Sequence, residues 1–217
     1  MRKFLGWVAG IAITGVVLAG LTVFGLWWFD WRYRPQTITR HQDEIAQALD
    51  RSGWVSPHLT GPKLYMLSFR ACPECIRYET EQFPKLQAAG VDTRVILVTL
   101  PDKNGQSLST APERATVAEL WINRSWRLFQ QWTSVTPAAW TAPGVPPADG
   151  DAARTAVVQA GHSLVDTLTP LLRDNGLQLG YPTLVWWTRD SEMHACVCAS
   201  PQSYERVAKE LGVTPAR

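Results

Sequence analysis

Two cysteines, placed where a predicted strand meets a predicted helix, constrain the fold of this chain more than any other feature. The apolar run at residues 64–69 has the composition of a buried strand, and residues 76–89 are predicted to be helical. Between them lies the motif Cys-Pro-Glu-Cys at residues 72–75. A thiol at the N-terminal end of a helix meets free backbone N–H groups and the positive end of the helix dipole, which lower its pKa. The position therefore predicts a reactive thiolate at Cys72, with Cys75 one helical turn further on and able to form a disulfide with it.

A proline late in the chain decides between two interpretations of this motif. Cys-x-x-Cys pairs also occur in zinc ribbons, where they supply half of a tetrahedral metal site. Pro182, however, precedes a second apolar run at residues 184–187, at a position where a strand tolerates proline and an X-Pro bond can be cis. The combination of both features favours thiol–disulfide chemistry over a zinc site.

The predicted order of elements resembles the thioredoxin fold. It runs strand, Cys-x-x-Cys helix, strand, helices, Xaa-Pro, two-strand hairpin and final helix, and the resemblance covers about residues 62–212. Within that superfamily, the chain is most similar to the catalytic domain of the periplasmic DsbC and DsbG proteins. The resemblance implies that Cys72 and Cys75 are the catalytic pair and that no cofactor is needed. It also implies that Tyr181 and Pro182 bind the substrate, with a cis peptide bond between them beside the sulfurs.

The sequence departs from those relatives in three places. It has no N-terminal region long enough for the dimerisation domain of the isomerases, so a dimeric DsbC-type cleft is not expected. Tyr181 stands before the proline, where Thr or Val is usual. Met66 stands six residues before the first cysteine, where many thioredoxins have a buried carboxylate. Proton transfer to and from Cys75 must therefore use another group or water.

An apolar segment without charged side chains, at residues 4–29, predicts a membrane anchor. Its 26 residues exceed the length needed to span a bilayer core, which is about 20. The sequence Trp-Trp-Phe-Asp-Trp at its end is typical of an interfacial aromatic belt and offers no cleavage site, which disfavours the alternative of a cleaved secretory signal. We expect residues 1–33 to be an anchor in the inner (plasma) membrane, with one transmembrane helix of about 20–26 residues, and residues 34–61 to be a connector. Residues 62–217 would then form one domain on the periplasmic side, where disulfide chemistry belongs.

Charge and motif content exclude several other classes of function. The formal net charge is only +2, and no basic cluster indicates a nucleic-acid partner. The sequence contains no P-loop, no Rossmann glycine pattern, and no zinc-protease or serine-hydrolase motif. A helical insert is predicted at about residues 102–179, with helices at residues 112–132 and 151–175. The second of these could break at Gly161 or Pro170.

A second cysteine pair, Cys196 and Cys198, falls on the predicted last strand at residues 193–199. Residues two apart share a face of a strand, so His194 points the same way as this pair. The strand order returns the last strand to the end of the sheet that carries the first cysteine pair. We therefore expect the Cys198 sulfur within about 12 Å of the first pair.

Three roles are open for this second pair. It could be an auxiliary dithiol that exchanges electrons with the first pair, or a soft-metal site for Cu(I) or Zn(II) together with His194. It could also be a structural bond or two unreactive thiols. Same-face neighbours on a regular strand have Cα atoms about 6.5–7 Å apart, at the upper limit for a disulfide, so a bond between Cys196 and Cys198 is expected to be strained and easily reduced.

The sequence as a whole predicts a membrane-anchored, extracytoplasmic thiol–disulfide oxidoreductase. Its partners would be extracytoplasmic protein thiols and disulfides, a membrane redox protein and the lipid bilayer. Glu74 places a negative charge beside the Cys72 thiolate, which favours a reductase or isomerase over a strong oxidase. Arg70 and Arg77 act in the opposite direction. The alternative is a non-catalytic copper- or zinc-binding protein, or an assembly protein of a membrane complex, that uses the second cysteine pair.

Overall fold

The computed structural model describes residues 17, 20–23, 25 and 34–213 of the chain. The chain divides into two compact units, Met1–Arg34 and Pro35–Arg217, and every strand and helix named below lies in the second. The strands are β1 (Gln36–Thr37), β2 (Lys63–Ser68), β3 (Asp92–Leu97), β4 (Thr183–Trp187) and β5 (Met193–Val197). The helices are α1 (Gln42–Arg51), α2 (Pro73–Ala88), α3 (Ala111–Asn123), α4 (Trp126–Thr133), α5 (Ala152–Arg173) and α6 (Pro201–Glu210), with a short 3-10 helix at Pro137–Ala139.

The five strands form one mixed sheet in the order β1-β5-β4-β2-β3. β2 pairs in parallel with β3, whereas β4 pairs antiparallel with both β2 and β5, and β1 pairs antiparallel with β5. After Lys63, every residue of β2 is buried, which explains the nearly continuous apolar run of this strand. α2 begins just beyond the carboxyl end of β2, and we call this end of the sheet the Cys72 end.

Side chains of the sheet alternate between two apolar layers, one on each face. Leu64 and Met66 of β2 belong to a layer with residues of α2, α3, α4 and α6. Tyr65 and Leu67 belong to the opposite layer, with residues of α1 and α5. This is the period of two that a strand imposes on its side chains. The resulting sheet with helices on both faces confirms the predicted α/β class.

The insert is helical, as expected, but residues 112–132 form two helices instead of one. α3 ends at Arg124, which adopts a left-handed conformation with a φ of 49°. Ser125 then caps α4, because its side chain accepts a hydrogen bond from the backbone N–H of Leu128 at 3.2 Å. Apolar residues recur at helical spacing on both sides of this break, so periodicity alone did not reveal it.

α5 runs without interruption for 22 residues, so neither of the two possible break points, Gly161 and Pro170, interrupts it. Gly161 faces the Val98 side chain and the Trp121 ring. A Cβ at this position would lie 3.4 Å from Val98 and 3.6 Å from Trp121, which are ordinary van der Waals contacts. The helix therefore packs here at normal contact distance.

The predicted connector contributes backbone pairing at both edges of the sheet. β1 pairs with β5, so that Gln36 lies opposite Ala195. At the other edge, Val55 exchanges two backbone hydrogen bonds with Val95 of β3, at 2.9 and 2.8 Å. The apolar stripe predicted for α1 is buried in the same layer as α5. Residues 36–55 are therefore part of the compact unit.

The predicted transmembrane anchor falls largely outside the described residues. Of residues 4–29, positions 17, 20–23 and 25 are described, and all of these are helical. Among the described residues, no helix combines the length and the apolar character required to cross a membrane. The anchor therefore stays a prediction.

Candidate active site

The first turn of α2 is built around the sulfur of Cys72. This residue is the N-cap of the helix, and its Sγ accepts a hydrogen bond from the backbone N–H of Cys75 at 3.1 Å. Pro73 occupies the first helical position, where no N–H donor is required. The backbone N–H of Cys72 donates to the Phe69 carbonyl at 3.1 Å, which closes the turn after β2. A sulfur in this position has the donors and the helix dipole that stabilise a thiolate.

Cys72 and Cys75 form a disulfide with Cα atoms 5.2 Å apart. Cys72 is 3% exposed and Cys75 is 0% exposed, which is the predicted order. Ala71 and Pro73, on either side of Cys72, are exposed, so the first sulfur lies immediately below the surface. The preferential labelling of reduced Cys72 stays a prediction.

The Tyr181–Pro182 peptide bond is cis, as predicted. Its place follows from the register of the sheet, in which Thr183 of β4 pairs with Leu67 of β2. One residue earlier, Pro182 comes level with Ser68, the last residue of β2. The cis proline therefore lies at the Cys72 end of the sheet, beside the turn that leads into α2.

An aromatic pair joins the proline loop to the cysteine turn. The Tyr181 ring meets the Phe69 ring edge to face, with centroids 5.1 Å apart. Burial raises the pKa of Tyr181, so its phenol stays neutral. Strand order, cis proline and a cysteine pair at the start of α2 together match the arrangement that the sequence predicted. The domain has a thioredoxin-like fold.

Several solved structures of thioredoxin-like proteins are similar to this chain. BcfH from Salmonella enterica Typhimurium aligns over 97% of this chain and 94% of its own, with 14% identity and a TM-score of 0.48. A periplasmic thioredoxin-like protein from Salmonella enterica serovar Typhimurium aligns over 80% and 98%, with 19% identity and a TM-score of 0.42. The thiol-disulfide exchange protein alpha-DsbA2 from Wolbachia pipientis aligns over 78% and 93%, with 13% identity and a TM-score of 0.45.

No protein-family model matches the sequence, and a search of curated proteins finds no match. At the identities and scores of the solved structures, similarity alone does not establish a shared activity. The fold assignment rests on the strand order, the cis Pro182 and the placement of the first cysteine pair.

Arg77 connects the cysteine helix to the loop after β5. Its guanidinium pairs with the Glu74 carboxylate one turn earlier. Its Nη2 donates to the Ala199 carbonyl at 2.7 Å, and its Nε and Nη2 donate to the Tyr204 hydroxyl at 3.3 and 3.2 Å. The Tyr204 hydrogen bond, followed by the nearby charges of Glu74 and Glu81, raises the pKa of Arg77 against the opposing effect of burial. The negative charge expected to oppose the Cys72 thiolate is therefore compensated by a fixed cation.

Arg70 makes its hydrogen bonds with α4 and the segment after it. It is buried against α4, where its Nη2 donates to the carbonyls of Trp132 at 3.2 Å and Val135 at 2.5 Å. These are carbonyls at the C-terminal end of a helix, which a cation stabilises. Its Nε is buried without a hydrogen-bond partner, and burial lowers the pKa of Arg70. Arg70 thus binds the C-terminal end of α4, and its predicted effect on the Cys72 thiolate stays a prediction.

Glu79 is a functional candidate that the sequence did not suggest. It lies four residues, about one helical turn, after Cys75, and together with Arg70 it lines a cavity of about 260 Å³ between α2 and α4. Burial raises the pKa of Glu79 from 4.5 to about 7, against the opposing effect of Arg70. A carboxyl with such a pKa can both accept and release a proton near neutral pH. The spacing between Cys75 and Glu79 was visible in the sequence, but the packing of α4 over Glu79 was not.

Cys196 and Cys198 form a second disulfide, at the Cys72 end of the sheet. Thr183 pairs with Val197 in the β4–β5 register, so Cys198 comes level with the cis Pro182. The two Cα atoms are 5.3 Å apart, so the expected separation of 6.5–7 Å is wrong. β5 ends at Val197, so Cys198 lies beyond the regular strand to which the expected separation applies.

The second disulfide is sealed in the apolar layer under α6. Both of its cysteines are 0% exposed and belong to one cluster with Leu184, Trp186 and Tyr204. The His194 ring is bound to other partners. Its Nδ1 lies 2.7 Å from Glu210 Oε2, and its Nε2 lies 3.2 Å from the Thr37 hydroxyl. In the described part of the chain, no group of three or more His, Cys, Asp or Glu side chains could hold a metal ion. A metal site and direct electron exchange both need access to the sulfurs, and this burial counts against both.

Proposed function

We propose that this protein is a thiol–disulfide oxidoreductase that acts on protein thiols and disulfides. The observation that carries the proposal is the Cys72 sulfur, which caps α2, accepts the N–H of Cys75 and is bonded to the Cys75 sulfur. This environment stabilises a thiolate at Cys72, and the buried Cys75 supplies the second sulfur for disulfide exchange. The two electrons reside in the cysteine pair itself, so the reaction needs no cofactor.

In the reducing direction, the Cys72 thiolate attacks a substrate disulfide, forms a mixed disulfide and releases one substrate sulfur as a thiol. The Cys75 thiolate then attacks the Cys72 sulfur, which breaks the mixed disulfide and releases the second substrate thiol. Two electrons and two protons pass to the substrate, and the Cys72–Cys75 bond forms. The oxidising direction is the reverse. Tyr181 and Pro182, level with the end of β2, would hold an extended substrate backbone beside the sulfurs.

Cys75 must lose a proton before it attacks, and we assign the role of acceptor to Glu79. The side chain of Met66 cannot accept a proton, whereas Glu79 lies one turn from Cys75 on the same helix and lines a cavity large enough to hold water. The charged group that faces Glu79 is Arg70, which also interacts with Glu113. The side chains that α4 contributes to the cavity are uncharged. Glu79 is therefore an acceptor above pH 7 and a donor below it.

We further propose that residues 4–29 anchor the domain in the inner membrane and that the domain works on the periplasmic side with a membrane redox partner. The apolar, charge-free segment and the two disulfides, which persist mainly outside the cytosol, support this location. We expect the full-length protein to stay in salt-washed membranes. Its release into the soluble fraction, with a new N-terminus after residue 25, would show that the segment is a signal peptide.

The direction of electron flow depends on how well the Cys72 thiolate is stabilised. Because Arg77 pairs with Glu74, the charge of Glu74 favours a reductase or isomerase less than the sequence suggested. A reduction potential measured against glutathione assigns the direction. A potential well above that of glutathione would identify an oxidase, and one well below it a reductase.

Insulin reduction by the full-length protein in detergent, with dithiothreitol as the electron donor, tests the proposed activity. Cys72→Ser removes the nucleophile, so we expect the protein-dependent rate to fall about 100-fold or more. Lys85→Gln, an exposed substitution on the same helix and outside the Glu79 cavity, is the matched control and should keep the wild-type rate. Wild-type protein without activity, or a fully active Cys72→Ser variant, would contradict the proposal.

A further inference from the structure

The proposed function leaves the second disulfide without a role. The bond joins residues two apart in sequence, so it closes a very short loop and restricts few conformations of the unfolded chain. The backbone of β5 is already held by its pairing with β4 and β1. The fold as a whole therefore gains little from the bond. Its effect is local, because it fixes the direction in which the chain leaves β5 at Ala199.

The segment that follows this bond holds the cysteine helix through Arg77. The Ala199 carbonyl accepts a hydrogen bond from Arg77 Nη2 at 2.7 Å. Ser200 caps α6, and Tyr204 in the first turns of that helix places its hydroxyl 3.2 and 3.3 Å from the Arg77 nitrogens. We call the Ala199 carbonyl and the Tyr204 hydroxyl the Arg77 socket. Its position depends on the path of the chain at Cys198.

Arg77 in turn compensates the charge of Glu74, two residues after Cys72 in the motif. An uncompensated carboxylate beside a thiolate disfavours the thiolate by like-charge repulsion. The Glu74–Arg77 pair is three residues apart on α2, and both side chains are 40% exposed. A pair of this kind is weak and mobile when no other contact holds it. The Arg77 socket supplies that other contact, through Nε and through the same Nη2 that pairs with Glu74.

We propose that the Cys196–Cys198 disulfide, through the Ala199 carbonyl, positions Arg77 so that Glu74 does not destabilise the Cys72 thiolate. Because it concerns the nucleophile of the exchange reaction, this inference rests on the proposed function. Arg77 and the second disulfide are positioning groups, since they act on Cys72 through Glu74. The role requires no access to the buried sulfurs, which agrees with their complete burial.

Titration of the Cys72 thiol in the full-length protein tests this link. In a Cys75→Ser background with the second disulfide intact, Cys72 is the one free thiol, and the ultraviolet absorbance of the thiolate follows its ionisation. We expect Arg77→Gln to raise the midpoint pH of this titration by about one unit. Arg77→Lys keeps the positive charge but loses the planar guanidinium with its several N–H donors, so it should raise the midpoint less than Arg77→Gln does. Lys85→Gln, which removes an exposed cation of the same helix, is the matched control and should leave the midpoint unchanged.

Removal of the second disulfide should act along the same path. We expect Cys196→Ala/Cys198→Ala to raise the midpoint in the same direction, by about half a unit. Combined with Arg77→Gln, it should add nothing to the effect of Arg77→Gln alone, because both changes release the same contact. Near-ultraviolet circular dichroism verifies that each variant is folded.

A folded Cys196→Ala/Cys198→Ala variant with the wild-type midpoint, or with an effect that adds fully to that of Arg77→Gln, would overturn the inference. Should this variant not fold, Tyr204→Phe removes one acceptor of the Arg77 socket and gives an independent test. Unchanged midpoints in Tyr204→Phe and Arg77→Gln would also overturn the inference. The titration does not depend on turnover. Failure of the proposed function would instead show as wild-type protein that does not reduce insulin.

Discussion

The two disulfides of this domain lie at the same end of one sheet but in opposite environments. The first begins a helix, where a backbone N–H group meets the Cys72 sulfur and the side chains of Glu74, Arg77 and Glu79 follow on the next turns. The second lies under α6 in an apolar cluster, with both sulfurs fully covered. A thiolate needs donors or cations to stabilise its charge. The first environment supplies them, and the second does not.

Loop length does not explain this difference. The first bond joins residues three apart and the second joins residues two apart, so both close short loops. What separates them is the element that carries them, since the start of a helix presents unpaired N–H groups and the end of a strand does not. The position of a cysteine pair relative to secondary structure therefore indicates its reactivity better than its spacing does.

Graded reduction should separate the two pairs. We expect dithiothreitol to open Cys72–Cys75 about 100-fold faster than Cys196–Cys198, because the thiol must reach a sulfur before exchange can occur. Iodoacetamide added during the reaction should label Cys72 first and Cys75 later, and peptide mass spectrometry reports the order. Reduction of both bonds at the same rate would contradict the proposed difference in reactivity between the two disulfides. Labelling of Cys75 ahead of Cys72 would reverse their assigned roles.

A smaller effect is expected from Glu79→Gln, and it depends on pH. Burial raises the pKa of Glu79 from 4.5 to about 7 in the folded protein, so folding disfavours its charged form. The wild-type protein therefore loses stability as the pH rises from 4.5 through 7, and the variant does not. We expect equal free energies of unfolding near pH 4 and a variant more stable by about 2 kcal/mol at pH 8, as measured by urea unfolding. Glu81→Gln, an exposed change on the same helix, serves as the control.

The same variant should lose activity where it gains stability. Above pH 7 the proton of Cys75 has no acceptor in Glu79→Gln, so we expect insulin reduction to slow by about tenfold there. Below pH 6, where the wild-type carboxyl is protonated as well, the two rates should converge. A stability difference that is constant with pH, or an unchanged pH profile of the rate, would show that Glu79 is not the acceptor.

The parts of the site that follow from local chemistry were predictable. A thiol at a strand-to-helix junction, the cis bond before Pro182 and the return of Cys198 to the Cys72 end all depend on residue type and strand order. The compensation of the Glu74 charge by Arg77 was harder to predict from the sequence. Arg77 was visible in the sequence, but its contact with Ala199 joins residues 122 apart.

The features that the sequence did not predict have physical causes of the same kind. The end of α3 depends on a left-handed Arg124, a residue type with no strong preference for that conformation. β1 has only two residues, which is too short for a recognisable alternation. The raised pKa of Glu79 arises from the packing of α4 against α2, two segments separated by β3 and α3 in the chain. Tertiary packing decided each of these features, and local sequence does not encode it.

The segment at residues 36–55 has a consequence for aggregation. β1 pairs with the outer edge of β5, and Val55 pairs with the outer edge of β3. An open sheet edge recruits any extended polypeptide, including further copies of the same chain, and so promotes aggregation. By pairing at both margins, residues 36–55 leave fewer backbone groups open there for a second chain to join.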